Sequence, residues 1–94
     1  MDYNGGVNPH VKPIRLTSHA RLQCAERGAT EVEVVQAVRE GAREPAKAGR
    51  TLCRFNLPFN RTWQGNWYAV KQVAPVIEES AAETVVITVY TFYF

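Results

Sequence analysis

Three side chains in this sequence have the widest chemical repertoire: the imidazole of His19, the ammonium of Lys71 and the phenol of Tyr90. His19 falls at the start of a predicted helix. There the positive end of the helix dipole disfavours the imidazolium and keeps a neutral ring available as base or ligand. Glu26 lies on the same helix face two turns on. Lys71 and Arg54 are lone bases inside alternating strand patterns, and Tyr90 belongs to the last strand. RNA can be cleaved without a metal by groups of these types. A base takes the 2′-OH proton, cations stabilise the pentacoordinate phosphate, and an acid protonates the leaving 5′-oxygen. Arg54, Lys71 and Tyr90 could surround a scissile phosphate if they share one sheet face. The plainer alternatives are a His19 that hydrogen-bonds backbone and locks its helix to the sheet, and a polar sheet face without chemistry. His10, in the N-terminal segment, is unrelated to either.

Charge is unevenly distributed. Residues 39 to 71 hold seven bases (Arg39, Arg43, Lys47, Arg50, Arg54, Arg61, Lys71) against Glu40 and Glu44, a balance of +5. Residues 78 to 83 hold three glutamates and no base. With Asn56, Asn60, Gln64 and Asn66 nearby, the basic stretch could follow a phosphate backbone. Arg27, Arg50, Arg54 and Arg61 are the candidate RNA contacts. Phe55, Phe59, Trp63, Trp67 and Tyr68 are interleaved with these bases, as in surfaces that stack unpaired nucleobases. The alternatives are a solvated surface for the charges, and core or hairpin packing for the rings, including a cross-strand Trp63–Trp67 pair.

These residues must be positioned by two helices and a sheet. Thr17 or Ser18 can cap the first helix and Gly28 can end it, with Arg27 at the negative end of the dipole. Ala20, Cys24 and Ala25 are small enough for close packing. Thr30-Glu31-Val32-Glu33 fits a capping box for a second helix, which carries a Val34, Val35 and Val38 stripe and ends at Gly41. Beyond Arg43 the period becomes two. Thr51–Leu57 reads as a strand that places Cys53, Phe55 and Leu57 on one face and Arg54 and Asn56 on the other, ending at Pro58. Gln64-Gly65-Asn66 reads as a hairpin turn, Trp67–Val73 as a strand broken at Pro75, and Glu78–Glu83 as a loop. Thr84–Phe94 is the strongest strand, apolar on both faces and so expected to be central and covered on both sides. Ile14–Leu16 is either a short edge strand or a tether. The expected fold is α+β: two N-terminal helices packed on a three- to four-stranded antiparallel sheet. Residues 1–13, rich in Gly, Asn and Pro, form a flexible lead-in to a single domain over 14–94.

Composition narrows the classes further. The chain has 94 residues, 46% hydrophobic and 21% charged, with a net charge of +2. That allows one domain with one modest core and disfavours disorder. No apolar run reaches the ~18 residues needed to span a bilayer, so no membrane partner is expected. The N-terminus lacks an apolar signal-peptide core, and Cys24 and Cys53 suit buried small hydrophobes, which points to a reduced, cytoplasmic domain. There is no Cys/His ligand set, no phosphate-binding glycine loop and no nucleophile elbow, so no metal and no cofactor is expected.

Leu16-Thr17-Ser18-His19-Ala20-Arg21, Glu26-Arg27-Gly28, Thr30-Glu31, Val34-Val35 and Thr88-Val89-Tyr90 together resemble the bacterial family known as domain of unknown function 4258. The resemblance covers about residues 14 to 94. Its layout is more remotely similar to the RelE, ParE and BrnT groups of ribonuclease toxins. That second likeness implies a toxin-like ribonuclease, with His19 or Lys71 as base, Arg54 and Arg61 as phosphate clamps and Tyr90 as acid. RNA would be the substrate and an antitoxin-like protein the partner. The reading from another class is a non-catalytic module that binds a protein or itself, suggested by the aromatic ending Tyr90-Thr91-Phe92-Tyr93-Phe94.

Overall fold

The computed structural model describes residues 12–94 and, for the backbone alone, Asp2–Tyr3. The strands are β1 (Asp2–Tyr3), β2 (Ile14–Leu16), β3 (Ala42–Pro45), β4 (Thr51–Trp63), β5 (Asn66–Glu79) and β6 (Thr84–Tyr93). Helices α1 (Ser18–Arg27) and α2 (Glu31–Glu40) follow β2, and a 3-10 turn occupies Lys47–Gly49. The fold is α+β, with the two helices packed on one face of the sheet. The sheet is wider than expected and mixed: six strands in the order β1-β2-β6-β5-β4-β3, with β2 parallel to β6 and the other pairs antiparallel. Of the expected lead-in, Asp2–Tyr3 form β1, Lys12 pairs with Glu79, and the Pro13 carbonyl accepts the Thr84 N–H; residue 1 and residues 4–11, His10 included, lie outside the described residues.

Both helices follow their local signals. Thr17 caps α1 by accepting the Ala20 N–H, and Gly28 ends it in the left-handed region (φ 78°), where a side chain is disfavoured. The Thr30–Glu33 capping box of α2 is complete in both directions. Ala20 and Cys24 of α1 and Val34, Val35, Ala37 and Val38 of α2 are buried against Cys53, Val73, Ile77, Val86 and Val89 of the sheet. Cys24 and Cys53 are free thiols, and burial pushes both above the ordinary thiol range.

The strands differ from the expectation in length, because prolines read as stops are accommodated. Pro58 lies beyond the end of β3, where β4 is the sheet edge among the described residues and a missing N–H costs little. β5 passes through Pro75 with its pairing to β4 in one register on either side, Leu52 with Val76 and Phe55 with Val73. At the hairpin, Gln64 (φ 49°) and Gly65 (φ 88°) form a two-residue turn with both central residues at positive φ. That turn pairs Trp63 with Asn66 and Thr62 with Trp67, so the expected Trp63–Trp67 pair does not form. Trp63 stacks on Tyr93 instead (5.1 Å, 15°), and Trp67 is exposed.

β6 is internal only over its first half. β2 pairs with Thr84–Val86 alone, so from Val89 onward the outer side of β6 has no strand neighbour among the described residues. Side chains of α1 take that place. The Gln23 amide oxygen accepts the Val89 N–H (2.8 Å), and the Arg27 guanidinium donates to the Val89 carbonyl (2.7 Å). Both groups of one strand residue are thereby satisfied by a helix. The expectation that β6 is covered on both sides also fails: Tyr90 and Phe92 are exposed, because both helices lie on the other face. Among the described residues, no helix is long and apolar enough to cross a membrane.

Candidate nucleic-acid interface

Strand alternation sorts the candidate residues between two faces. Val73 and Val89 are core residues on the helix side, and β5 and β6 keep one register from Lys71–Tyr93 to Val76–Thr88. Lys71 and Tyr93 therefore face the helices, and Tyr90 and Phe92 face away. Cys53 is core, so its neighbour Arg54 also points away.

Lys71 is a structural ion. It is 3% exposed, and its ammonium donates to the Gly28 carbonyl (2.9 Å) and to the Glu33 carboxylate (2.8 Å). The same Glu33 oxygen accepts the Thr30 N–H of the capping box, so one carboxylate ties the start of α2 to the middle of β5. Lys71 thus does not share a face with Arg54 and Tyr90, and the expected convergence of the three does not occur. His19 is exposed in the first turn of α1, eight residues or about 12 Å along the helix axis from Arg27. Arg61 packs over the Phe59 ring (4.6 Å) in the far half of β4. Phe59, Trp63 and Tyr68 all contact the Tyr93 ring, and Phe55 packs on the core, so four of the five interleaved aromatics are packing residues. The Tyr93 hydroxyl donates to the Arg27 carbonyl (2.7 Å), and burial raises its pKa.

The face away from the helices holds a different set. Tyr90 and Phe92 lie in tandem, with ring centroids 6.3 Å apart and planes within 24°. Arg27 reaches around the open edge of β6 to place its guanidinium 5.3 Å from the Tyr90 ring, and Arg54 lies 5.6 Å from the Phe92 ring. A polar row crosses the same face. Arg54 donates to Glu44 (3.1 Å) and to the Gln72 amide oxygen (2.9 Å), and the Gln72 nitrogen donates to Asn56 (2.8 Å). Beside it, the segment containing the 3-10 turn folds over the sheet. It borders a half-open pocket of about 420 Å³ lined by its own Pro45, Ala46, Lys47 and Arg50 and by Leu52, Val76, Thr88 and Tyr90 of the sheet. Of the sequence candidates, the structure thus brings together Arg27, Arg50, Arg54 and Tyr90. Lys47, expected only as part of the basic stretch, and Phe92, expected only as part of the aromatic ending, join them. The signal for Phe92 was its alternation with the apolar Val89 and its two-residue spacing from Tyr90.

Folding cancels part of the charge segregation. The glutamates of the acidic stretch pair with bases across the sheet: Glu79 with Lys12 and Arg43, Glu78 with Arg50, and Glu83 with Arg15. The Lys12 and Arg43 hydrogen bonds hold the Glu79 carboxyl below its ordinary pKa despite partial burial, and Arg15 does the same for Glu83. Among the described residues, Arg27, Arg39, Lys47 and Arg61 have no carboxylate within 4.0 Å in any ion pair. No group of three or more His, Cys, Asp or Glu able to hold a metal occurs among the described residues. Comparison with protein-family models, curated proteins and solved structures finds no match to this chain.

Proposed function

We propose that this domain binds single-stranded RNA on the sheet face opposite its helices. One observation carries the reading: the stacked, exposed Tyr90–Phe92 pair with an arginine beside each ring. Two tandem rings offer successive π-faces to unpaired bases, and Arg27, Arg54, Lys47 and Arg50 border them as phosphate contacts. Gln72 and Asn56 supply amides for base edges. The reading stops at binding, since Lys71 lies on the other side of the sheet and His19 is at the far end of α1. A toxin-like ribonuclease inhibited by an antitoxin-like partner would need a base other than these two. Kinship with domain of unknown function 4258, and more remotely with the RelE-like toxins, belongs to the same proposal and rests on the residues that carry the resemblance.

The test is fluorescence anisotropy with a labelled oligouridylate at several salt concentrations. Stacking is worth about 1–3 kcal/mol per base, so Phe92→Ala should weaken binding by roughly 5- to 150-fold with little change in folding. Three or four phosphate contacts should give a log–log salt slope of about −2 to −3. Absence of binding at low salt, or binding indifferent to both Phe92→Ala and Tyr90→Ala, overturns the proposal. A mass that grows with concentration in a protein that ignores RNA would favour the self-associating module.

A further inference from the structure

The cavity beside the aromatic pair has the composition of a nucleotide site rather than of a gap in packing. Its apolar lining comes from Pro45, Ala46, Leu52 and Val76, and it also carries two cationic residues, Lys47 and Arg50, and two hydroxyl residues, Thr88 and Tyr90. Its volume of about 420 Å³ lies within the range of small-molecule pockets. Arg50 is incompletely satisfied. Its Nε is buried with no hydrogen-bond partner, and a terminal nitrogen meets Glu78 only at 3.6 Å. A guanidinium in this state gains from an anion that can take two parallel N–H bonds after a small rotation toward the cavity. Lys47 has no carboxylate partner among the described residues. Both side chains line the pocket, and Ala48 (φ 59°) and Gly49 (φ 72°) turn the chain between them, with the Arg50 N–H donating to the Lys47 carbonyl (3.2 Å).

We infer that this cavity seats one nucleoside monophosphate unit, with the phosphate on Lys47 and Arg50, the base over Leu52 and Val76, and the sugar hydroxyls at Thr88 and Tyr90. The inference rests on the proposed RNA-binding role and deepens it. Tyr90 belongs to both the cavity and the stacking pair, so a strand lying on Phe92 and Tyr90 would deliver its next nucleotide here. Glu78 is the competing anion, which gives the site a distinctive response: removing that carboxylate strengthens ligand binding.

The experiment is an NMR titration of the full chain with adenosine monophosphate, uridine monophosphate, adenosine and inorganic phosphate. Amide shifts should centre on residues 47–50, 88 and 90. Arg50→Ala should weaken the monophosphates by about tenfold or more, as loss of a bidentate charge-assisted contact does. Glu78→Gln should tighten them by roughly two- to fivefold, and this variant keeps the test valid if Arg50→Ala folds poorly. Adenosine should bind more weakly than its monophosphate. Shifts elsewhere, or a Glu78→Gln variant that binds no tighter, overturn the inference. If monophosphates fail while an oligouridylate binds through Phe92, the cavity inference falls and the RNA reading stands. If monophosphates bind and the oligomer does not, the cavity stands as a nucleotide site and the RNA reading falls.

Discussion

Replacing Lys71 with methionine separates a structural lysine from a functional one. The side chain is 3% exposed and its ammonium has two oxygen partners, the Gly28 carbonyl and the Glu33 carboxylate. Methionine keeps most of the packing over Phe59 but leaves both oxygens without this donor. Removing one partner of a buried pair costs about 3–5 kcal/mol. Glu33 is 23% exposed and keeps the Thr30 N–H, so water and the capping box offset part of that cost. The expected loss therefore falls below that range, at about 2–3 kcal/mol, or roughly 10–20 °C in Tm for a domain of this size. Urea denaturation followed by circular dichroism reads it directly. RNA affinity, measured well below the melting range, should stay within about twofold, because the ammonium does not reach the open face. Combining Lys71→Met with Glu33→Gln should cost less than the sum of the single changes, since no orphan carboxylate remains. A Lys71→Met protein with unchanged stability and abolished RNA binding or cleavage would refute the reasoning and restore Lys71 as a site residue.

Three further outcomes follow from the same geometry. Gly28→Ala should destabilise the fold by more than about 2 kcal/mol in urea denaturation: a non-glycine residue is strained at positive φ, and the new Cβ would lie 2.6 Å from the Tyr93 hydroxyl and 2.7 Å from the Trp63 ring. Gln23→Leu should cost about 1–3 kcal/mol by the same assay, because the Val89 N–H loses its acceptor at the open edge of β6. Glu79 has a lowered carboxyl pKa in the folded state, so the stability it contributes is present above the unfolded carboxylate value and is lost as pH falls through the lower folded one. Thermal melts from about pH 6 to pH 3 should then show a smaller acid-induced loss for Glu79→Gln than for the parent chain.

The helical half of this fold is legible in the sequence because its signals are local. Thr17, Gly28 and the Thr30–Glu33 box each act within four residues, and each does what its position indicates. The sheet is less legible because its determinants are not local. Pro58 and Pro75 read as stops, yet one falls where β4 has no outer neighbour among the described residues and the other where pairing resumes on both sides. The separation of Lys71 from Tyr90 was partly readable. Lys71 shares parity with Val73, and Arg54 opposes Cys53, so assigning the apolar residues inward would have divided the set. What the sequence could not disclose is the register joining the strands. The roles of Gln23 and Arg27 at the β6 edge were equally hidden: the short segment Ile14–Leu16 is legible, but not that it pairs with β6 over Thr84–Val86 alone.

Element lengths explain why the open face exists at all. Each helix has ten residues and spans about 15 Å, whereas β4 and β5, with 13 and 14 residues, run roughly 40 Å. Two such helices cannot cover even one face. The part they leave bare on their own side is filled by the rings gathered around Tyr93. Among the described residues, the opposite face receives only the segment around Lys47–Gly49, and Tyr90 and Phe92 are exposed. A single exposed ring needs no explanation. Here two rings are stacked, each has an arginine beside it, and one of those arginines also closes a strand edge through the Val89 carbonyl. Arg27 is therefore held in place by the fold before any ligand arrives, and a preorganised cation beside an exposed aromatic ring spares a binding surface part of its ordering cost.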